Sequence, residues 1–218
     1  MCSLSEYVNC EVAKEIANNY DLINNSLIKE IDPEVYLKYN SVNILCGKQG
    51  KGKTLTILRE IIKICNVPNC DVHMLVYVNR DGREDATAKV LSSLITIPIV
   101  YVPAAKVKEY FNQLIGTKMA YDKLKNLNLF DKIVQRQQDE IKNCLHIDNF
   151  SYPTLQEVIL FDDAAFSSLF SKKDSGVVRM IHQARHHKVI FCFCVQGIQD
   201  IPLPLKEQKT FISLNKFL

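Results

Sequence analysis

The sequence predicts an α/β fold: a three-layer sandwich with a mostly parallel central sheet, N-terminal helices and a helical insert. Three observations predict it. Short apolar segments alternate with helical patterns from residue 41 onward. Two of those segments, Val158 to Phe161 and Val189 to Val195, are apolar at every position, as strands covered on both faces must be. A glycine-rich loop stands between the first such segment and the helix after it, the connection a parallel unit requires.

The elements follow in order. Residues 1–40 form a helical extension, with Val8, Val12, Ile16, Ala17 and Tyr20 at helical spacing, then Leu22, Ile23, Leu27 and Ile28. The core occupies 41–218. Ser41 to Cys46 is a first strand, and Thr54 to Cys65 a largely buried helix. Asp71 to Val78 is a second strand, ended by the turn Asn79-Arg-Asp-Gly82, with a helix at about 83–94. Pro98 to Val102 is a third strand and Ala104 to Ile115 a third helix. Residues from about 117 to 150 are polar and helical, with Leu124, Leu127, Phe130, Ile133, Val134 and Ile141 on a drifting stripe, and read as an insert on one edge. A strand at 158–161, a helix at 175–186, a strand at 188–195 and a last strand at 210–214 complete the core.

Composition narrows the function classes. The 218 residues are 47% hydrophobic and 23% charged, a globular balance that excludes a disordered chain. The longest apolar runs are too short to cross a bilayer, and the first residues lack a secretory pattern. A net charge of +3 permits a polyanionic partner without requiring one. The eight cysteines show no C-x-x-C spacing and read as reduced small hydrophobes, which places the chain in a reducing compartment.

Gly47, Lys48, Gln49, Gly50, Lys51, Gly52, Lys53 and Thr54 satisfy G-x-x-x-x-G-K-[ST], a phosphate loop. Chance produces such a match in about one chain per hundred of this length. Here it falls between a strand and a helix, and three of only seven glycines lie in it. Inward-turned N–H groups cradle phosphate oxygens, and the helix adds the positive end of its dipole. Lys53 can reach the β- and γ-phosphates of a nucleotide, and the Thr54 hydroxyl can bind Mg²⁺. The late strand ends in Asp162 and Asp163, at the sheet edge where ligands of open α/β sheets bind. Asp162 suits the Mg²⁺ shell and Asp163 the activation of water; a plain strand-end turn is the other reading of the pair. Gln196 follows seven apolar residues and can sense the γ-phosphate, or simply mark the exit to a loop. Arg185, beside His182, His186 and His187, can contact a phosphate in a neighbouring subunit, or cap its own helix.

Taken together, GKQGKGKT, VILFDDA and RHHKVIFCFCVQGIQDIP resemble the FtsK–HerA group of P-loop ATPases, in particular the genome-packaging ATPases of large DNA viruses of the poxvirus-like branch. The resemblance covers about 41–202 and leaves out 1–40 and 117–150. It implies a three-layer P-loop NTPase fold, with Lys53 and Thr54 as the phosphate and magnesium pair and Asp162 as the magnesium acid. It further implies Asp163 as the catalytic acid, Gln196 as the sensor and Arg185 as an arginine acting across an interface. Arg80 and Arg83, at the end of the second strand, are the second choice for that arginine. Lys51 departs from it, standing where the group often has a small residue. The resemblance also implies a homo-oligomeric ring that hydrolyses ATP and moves double-stranded DNA without sequence preference. Its cargo would be a viral genome entering a capsid, with capsid or membrane-vertex proteins as partners, in the host cytoplasm, a viral factory or the virion. Two alternatives stay open. One is a small nucleoside or nucleotide kinase whose basic lid is the 117–147 segment, with Lys118, Lys123, Lys125, Lys132 and Arg136. The other is an NTP-binding module without turnover. For DNA contacts, Lys172 and Lys173 or the basic 117–136 stretch are the candidates, with solvated surface as the plain reading of both.

Overall fold

The computed structural model describes residues 37, 41–47, 52–65, 72–152, 155–162, 178, 181, 184–197 and 211–214. The expected helices of residues 1–40 lie outside the described residues. Among the described residues six strands form one sheet: β1 Val42–Cys46, β2 Val72–Asn79, β3 Ile99–Pro103, β4 Gln156–Phe161, β5 Val189–Val195 and β6 Phe211–Leu214. Their order is β3-β2-β4-β5-β1-β6, and every pairing is parallel. The helices are α1 Lys53–Cys65, α2 Ala86–Leu94, α3 Val107–Asn126, α4 Gln135–Leu145 and the short α5 Ala184–His187.

Strand periodicity builds the three layers. Along β5, Ile190, Cys192 and Cys194 pack with Ile57, Leu58 and Ile61 of α1 and Ala88 and Leu91 of α2. The alternate residues Val189, Phe191, Phe193 and Val195 pack with Val107, Phe111, Leu114 and Tyr121 of α3 and with Ile141 and Leu145 of α4. A strand sandwiched in this way has no polar face, which is why these strands read as unbroken apolar runs. Cys46, Cys192 and Cys194 are buried free thiols used as small hydrophobes, and burial pushes the Cys192 thiol well above its ordinary range.

One helix differs from the sequence expectation. A 3₁₀ turn at Ala104–Lys106 leads into α3, which runs without a break from Val107 to Asn126, past the boundary expected after Ile115. Its buried residues are Val107, Phe111, Leu114, Lys118 and Tyr121, a single stripe at spacings of four, three, four and three. Gly116 inside it weakens the helix by roughly 1 kcal/mol relative to alanine, and the stripe on either side outweighs that loss. The stripe is hard to see because one of its members is a lysine.

Lys118 corrects a second expectation. Read as a cation of a basic lid, it is instead buried at 4% exposure and paired with Glu157 at the start of β4, which is fully enclosed. Its ammonium also donates to the carbonyl oxygens of Leu155, at 3.1 Å, and of His187. Burial pushes the Glu157 carboxyl up to about 7, against the pull of Lys118. His73 lies 3.5 Å away, and burial together with the Lys118 charge holds its imidazole down at about 4, so the ring is neutral. This polar plug joins α3 and the end of α5 to the N-terminal ends of β2 and β4. The opposite edge of the parallel sheet, where the strands end, is therefore left for the site. Among the described residues no helix is long and apolar enough to cross a membrane.

Candidate functional site

Because the strands are parallel, their C-terminal ends share one edge. That edge collects Gly47 after β1, Asn79 at the end of β2, Asp162 after β4 and Gln196 after β5. The Gly47 N–H donates to the Val195 carbonyl at 3.0 Å, tying the start of the phosphate loop to the end of β5. At the other end of the loop, Gly52 has φ +73°, in the left-handed region that favours glycine. Its carbonyl accepts the Thr56 N–H at 2.9 Å and the Thr56 hydroxyl at 3.0 Å, so the loop passes directly into the first turn of α1. Lys53 begins that helix and is buried.

The central contact joins residues 108 positions apart: the Thr54 hydroxyl donates to Asp162 Oδ1 at 3.0 Å. The Asp162 N–H donates to the Val78 carbonyl at 3.0 Å, which extends the β4–β2 ladder by one bond and fixes the backbone that carries the carboxylate. A hydroxyl and a carboxylate side by side at a helix start are hard oxygen donors, the set that suits Mg²⁺. Asp162 and Thr54 thus fit a magnesium ion, and the start of α1 fits a phosphate group.

The second oxygen of Asp162 has a partner that sequence reading missed. Tyr77 Oη donates to Asp162 Oδ2 at 2.9 Å. The same oxygen lies 3.2 and 3.0 Å from Asp85 Oδ1 and Oδ2. Burial, then the two carboxylates, raises the Tyr77 hydroxyl far above its ordinary value, so it stays a neutral donor. Asp85 caps α2 by accepting the Ala88 N–H at 2.8 Å. In sequence Tyr77 is one more aromatic in an apolar strand, and Asp85 one more acid beyond a turn. The only signal is a polar-tipped ring two residues before a strand ends at the ligand edge.

The Asn79–Asp85 turn is built tightly. Asn79 Oδ1 accepts the Gly82 N–H at 2.7 Å, and Asn79 Nδ2 donates to the Arg83 carbonyl at 2.8 Å. Gly82 has φ +63°, and a Cβ there would meet Pro103 Cδ at 2.3 Å. Arg80 and Arg83 are exposed on this turn, at the same edge as the site.

The structure brings Gly47, Gly52, Lys53, Thr54, Asp162 and Gln196 of the expected site to one edge. Gln196 is exposed, at the end of the strand that lies between β1 and β4. Lys48, Gln49, Gly50, Lys51, Asp163, Lys172 and Lys173 lie outside the described residues, and of Arg185 only its backbone, in α5, is described. His186 is exposed, while half-buried His187 gives its carbonyl to Lys118.

A parallel α/β sheet, a phosphate loop leading into a helix and an acid hydrogen-bonded to that helix's first threonine define a P-loop NTPase fold. Among solved structures, the chain is similar to EssC (ATPases 2 and 3) from Geobacillus thermodenitrificans, with 10% identity and TM-score 0.47 over 79% of this chain and 32% of that one. It is similar to the cytoplasmic domain of EssC, with 12% identity and TM-score 0.49 over 80% of this chain and 32% of that one. A third similar structure is the genome packaging NTPase B204 from Sulfolobus turreted icosahedral virus 2 in complex with ATP-gammaS, with 13% identity and TM-score 0.47 over 86% of this chain and 78% of that one. The chain thus spans about a third of the length of the EssC chains. No protein-family profile matches the sequence, and no curated protein matches it.

Proposed function

We propose that this protein is the ATP-hydrolysing subunit of a motor of the FtsK–HerA kind that translocates double-stranded DNA, with a viral genome entering a capsid as its cargo. The observation that carries the nucleotide half of this reading is the 3.0 Å bond between Thr54 and Asp162, set at the mouth of the phosphate loop. The DNA half rests on the sequence resemblance.

Lys53, at the start of α1, would pair its ammonium with the β- and γ-phosphates, and the loop N–H groups would hold the chain of phosphates in place. Thr54 and Asp162 hold the metal site, and Mg²⁺ bound there supplies positive charge against the phosphate oxygens. Asp163 takes the proton of the attacking water. Gln196, on the strand between loop and acid, orients that water by its amide. Arg185 of a neighbouring subunit offsets the charge that grows on the outer γ-oxygens. Such a site is complete only in an oligomer, which fits a ring around DNA, working in the host cytoplasm or a viral factory and docked to capsid or membrane-vertex proteins.

The kinase alternative loses part of its basis, because Lys118 of the expected lid is enclosed against Glu157. The test is ATP hydrolysis with and without long duplex DNA. Stimulation by DNA that vanishes in Lys53→Ala supports the motor. Phosphoryl transfer to a small acceptor replaces it with a kinase. Binding without either reaction leaves a module without turnover.

A further inference from the structure

We propose that Tyr77 is a positioning residue for Asp162: it fixes the orientation in which that carboxylate meets a divalent cation. The inference rests on the nucleotide-site reading above.

A carboxylate turns easily about its last bond, because that torsion has broad, roughly two-fold wells. Asp162 is held at both oxygens by two hydroxyls from different elements. Thr54 of α1 takes Oδ1 at 3.0 Å, and Tyr77 of β2 takes Oδ2 at 2.9 Å. Thr54 is itself a donor to the cation site, so its hydroxyl cannot be a fixed reference for the acid. Tyr77 can. Its ring is fully buried and meets Tyr101 edge-on at 6.1 Å, so only the hydroxyl reaches the sheet edge.

Asp85 anchors the other side of that hydroxyl. A phenol has one hydrogen, and here two carboxylates face it. Asp85 already accepts the Ala88 N–H at 2.8 Å and the Asn79 Nδ2 at 3.3 Å, so it does not depend on Tyr77. The single hydrogen is therefore available to Asp162. Asp85 competes for that hydrogen, and Asp162 is the nearer acceptor, at 2.9 Å against 3.0 and 3.2 Å.

The test uses the full chain and a fluorescent ATP analogue, MANT-ATP, titrated in EDTA and then at rising MgCl₂. Tyr77→Phe removes one oxygen and nothing else. Tyr101→Phe makes the same change on the neighbouring ring, whose hydroxyl contacts Glu84 outside the site. The expected result is that Tyr77→Phe keeps its affinity in EDTA within about twofold but needs about tenfold more Mg²⁺ for half of the Mg²⁺-dependent gain, the factor one hydrogen bond to a charged acceptor carries. Tyr101→Phe should match the unaltered protein. An unchanged Mg²⁺ midpoint in Tyr77→Phe overturns the inference, and so does an equal loss of affinity in EDTA. A Tyr77→Phe chain too unstable to assay overturns it as well, since the hydroxyl would then serve the fold. If the unaltered protein binds MANT-ATP without regard to Mg²⁺, the metal-site reading falls and this inference falls with it.

Discussion

Replacing Lys118 with methionine keeps the length of the side chain and its apolar contacts but removes the ammonium. Three acceptors then lose their donor: Glu157, the Leu155 carbonyl and the His187 carbonyl. Removing one partner of a buried pair costs about 3–5 kcal/mol when the other stays charged. Glu157 has a way out, because its carboxyl already sits at about 7 and Lys118 is what pulls it down. Without Lys118 it moves higher and takes a proton. The unfolded chain binds that proton only near the ordinary 4.5. A carboxyl raised in the folded state gives stability that is whole below 4.5 and lost as pH rises toward the folded value. The cost of Lys118→Met therefore grows with pH, by up to about 1.4 kcal/mol per unit. At pH 8, one unit above the unaltered value of about 7, the cost should exceed that at low pH by up to about 1.4 kcal/mol, or roughly 3–6 °C in Tm for a chain of this size. At pH 5.5 it should be clearly smaller. Urea denaturation followed by circular dichroism at both pH values measures this. Adding Glu157→Leu to Lys118→Met should recover part of the loss at pH 8. A cost below about 1 kcal/mol at pH 8, or the same cost at both pH values, would refute the argument.

Asp162→Asn should weaken nucleotide binding only when Mg²⁺ is present, by about tenfold or more, read by titration with and without EDTA. Gln196→Ala should slow turnover by about tenfold to a hundredfold with little change in nucleotide affinity, and a pure affinity defect would remove it from the reaction. Gly82→Ala should lower stability by about 1–3 kcal/mol, because its φ is left-handed and Pro103 leaves no room for a methyl; a thermal melt unchanged within a degree would contradict the tight turn.

Where residues act through local pattern, the sequence was legible. Buried strands announce themselves by unbroken apolar runs, and the loop from Gly47 to Thr54 by its glycines. Asp162 stood out because it ends such a run, and its carboxylate accepts the Thr54 hydroxyl. Two kinds of feature were not. Lys118 breaks a hydrophobic stripe in letters while completing it in space, since its partner Glu157 lies 39 positions away. Tyr77 gains its meaning from two acids, 8 and 85 positions distant, and no local spacing encodes a contact of that range.

The order of the strands has a consequence for how the chain comes into being. The two neighbours of β1 in the sheet are β5 and β6, and both are synthesised after residue 188. Among the described residues, the strand that carries the phosphate loop thus has no sheet partner until β5 and β6 have left the ribosome. Its loop-closure entropy is met only at the end, so the long-range β1–β5 pairing is a late event in folding. A fragment ended at residue 188 should accordingly show no nucleotide-dependent resistance to proteolysis, and protection in it would contradict this order. A nascent chain of this protein therefore cannot close the sheet around its phosphate loop before β5 has been made.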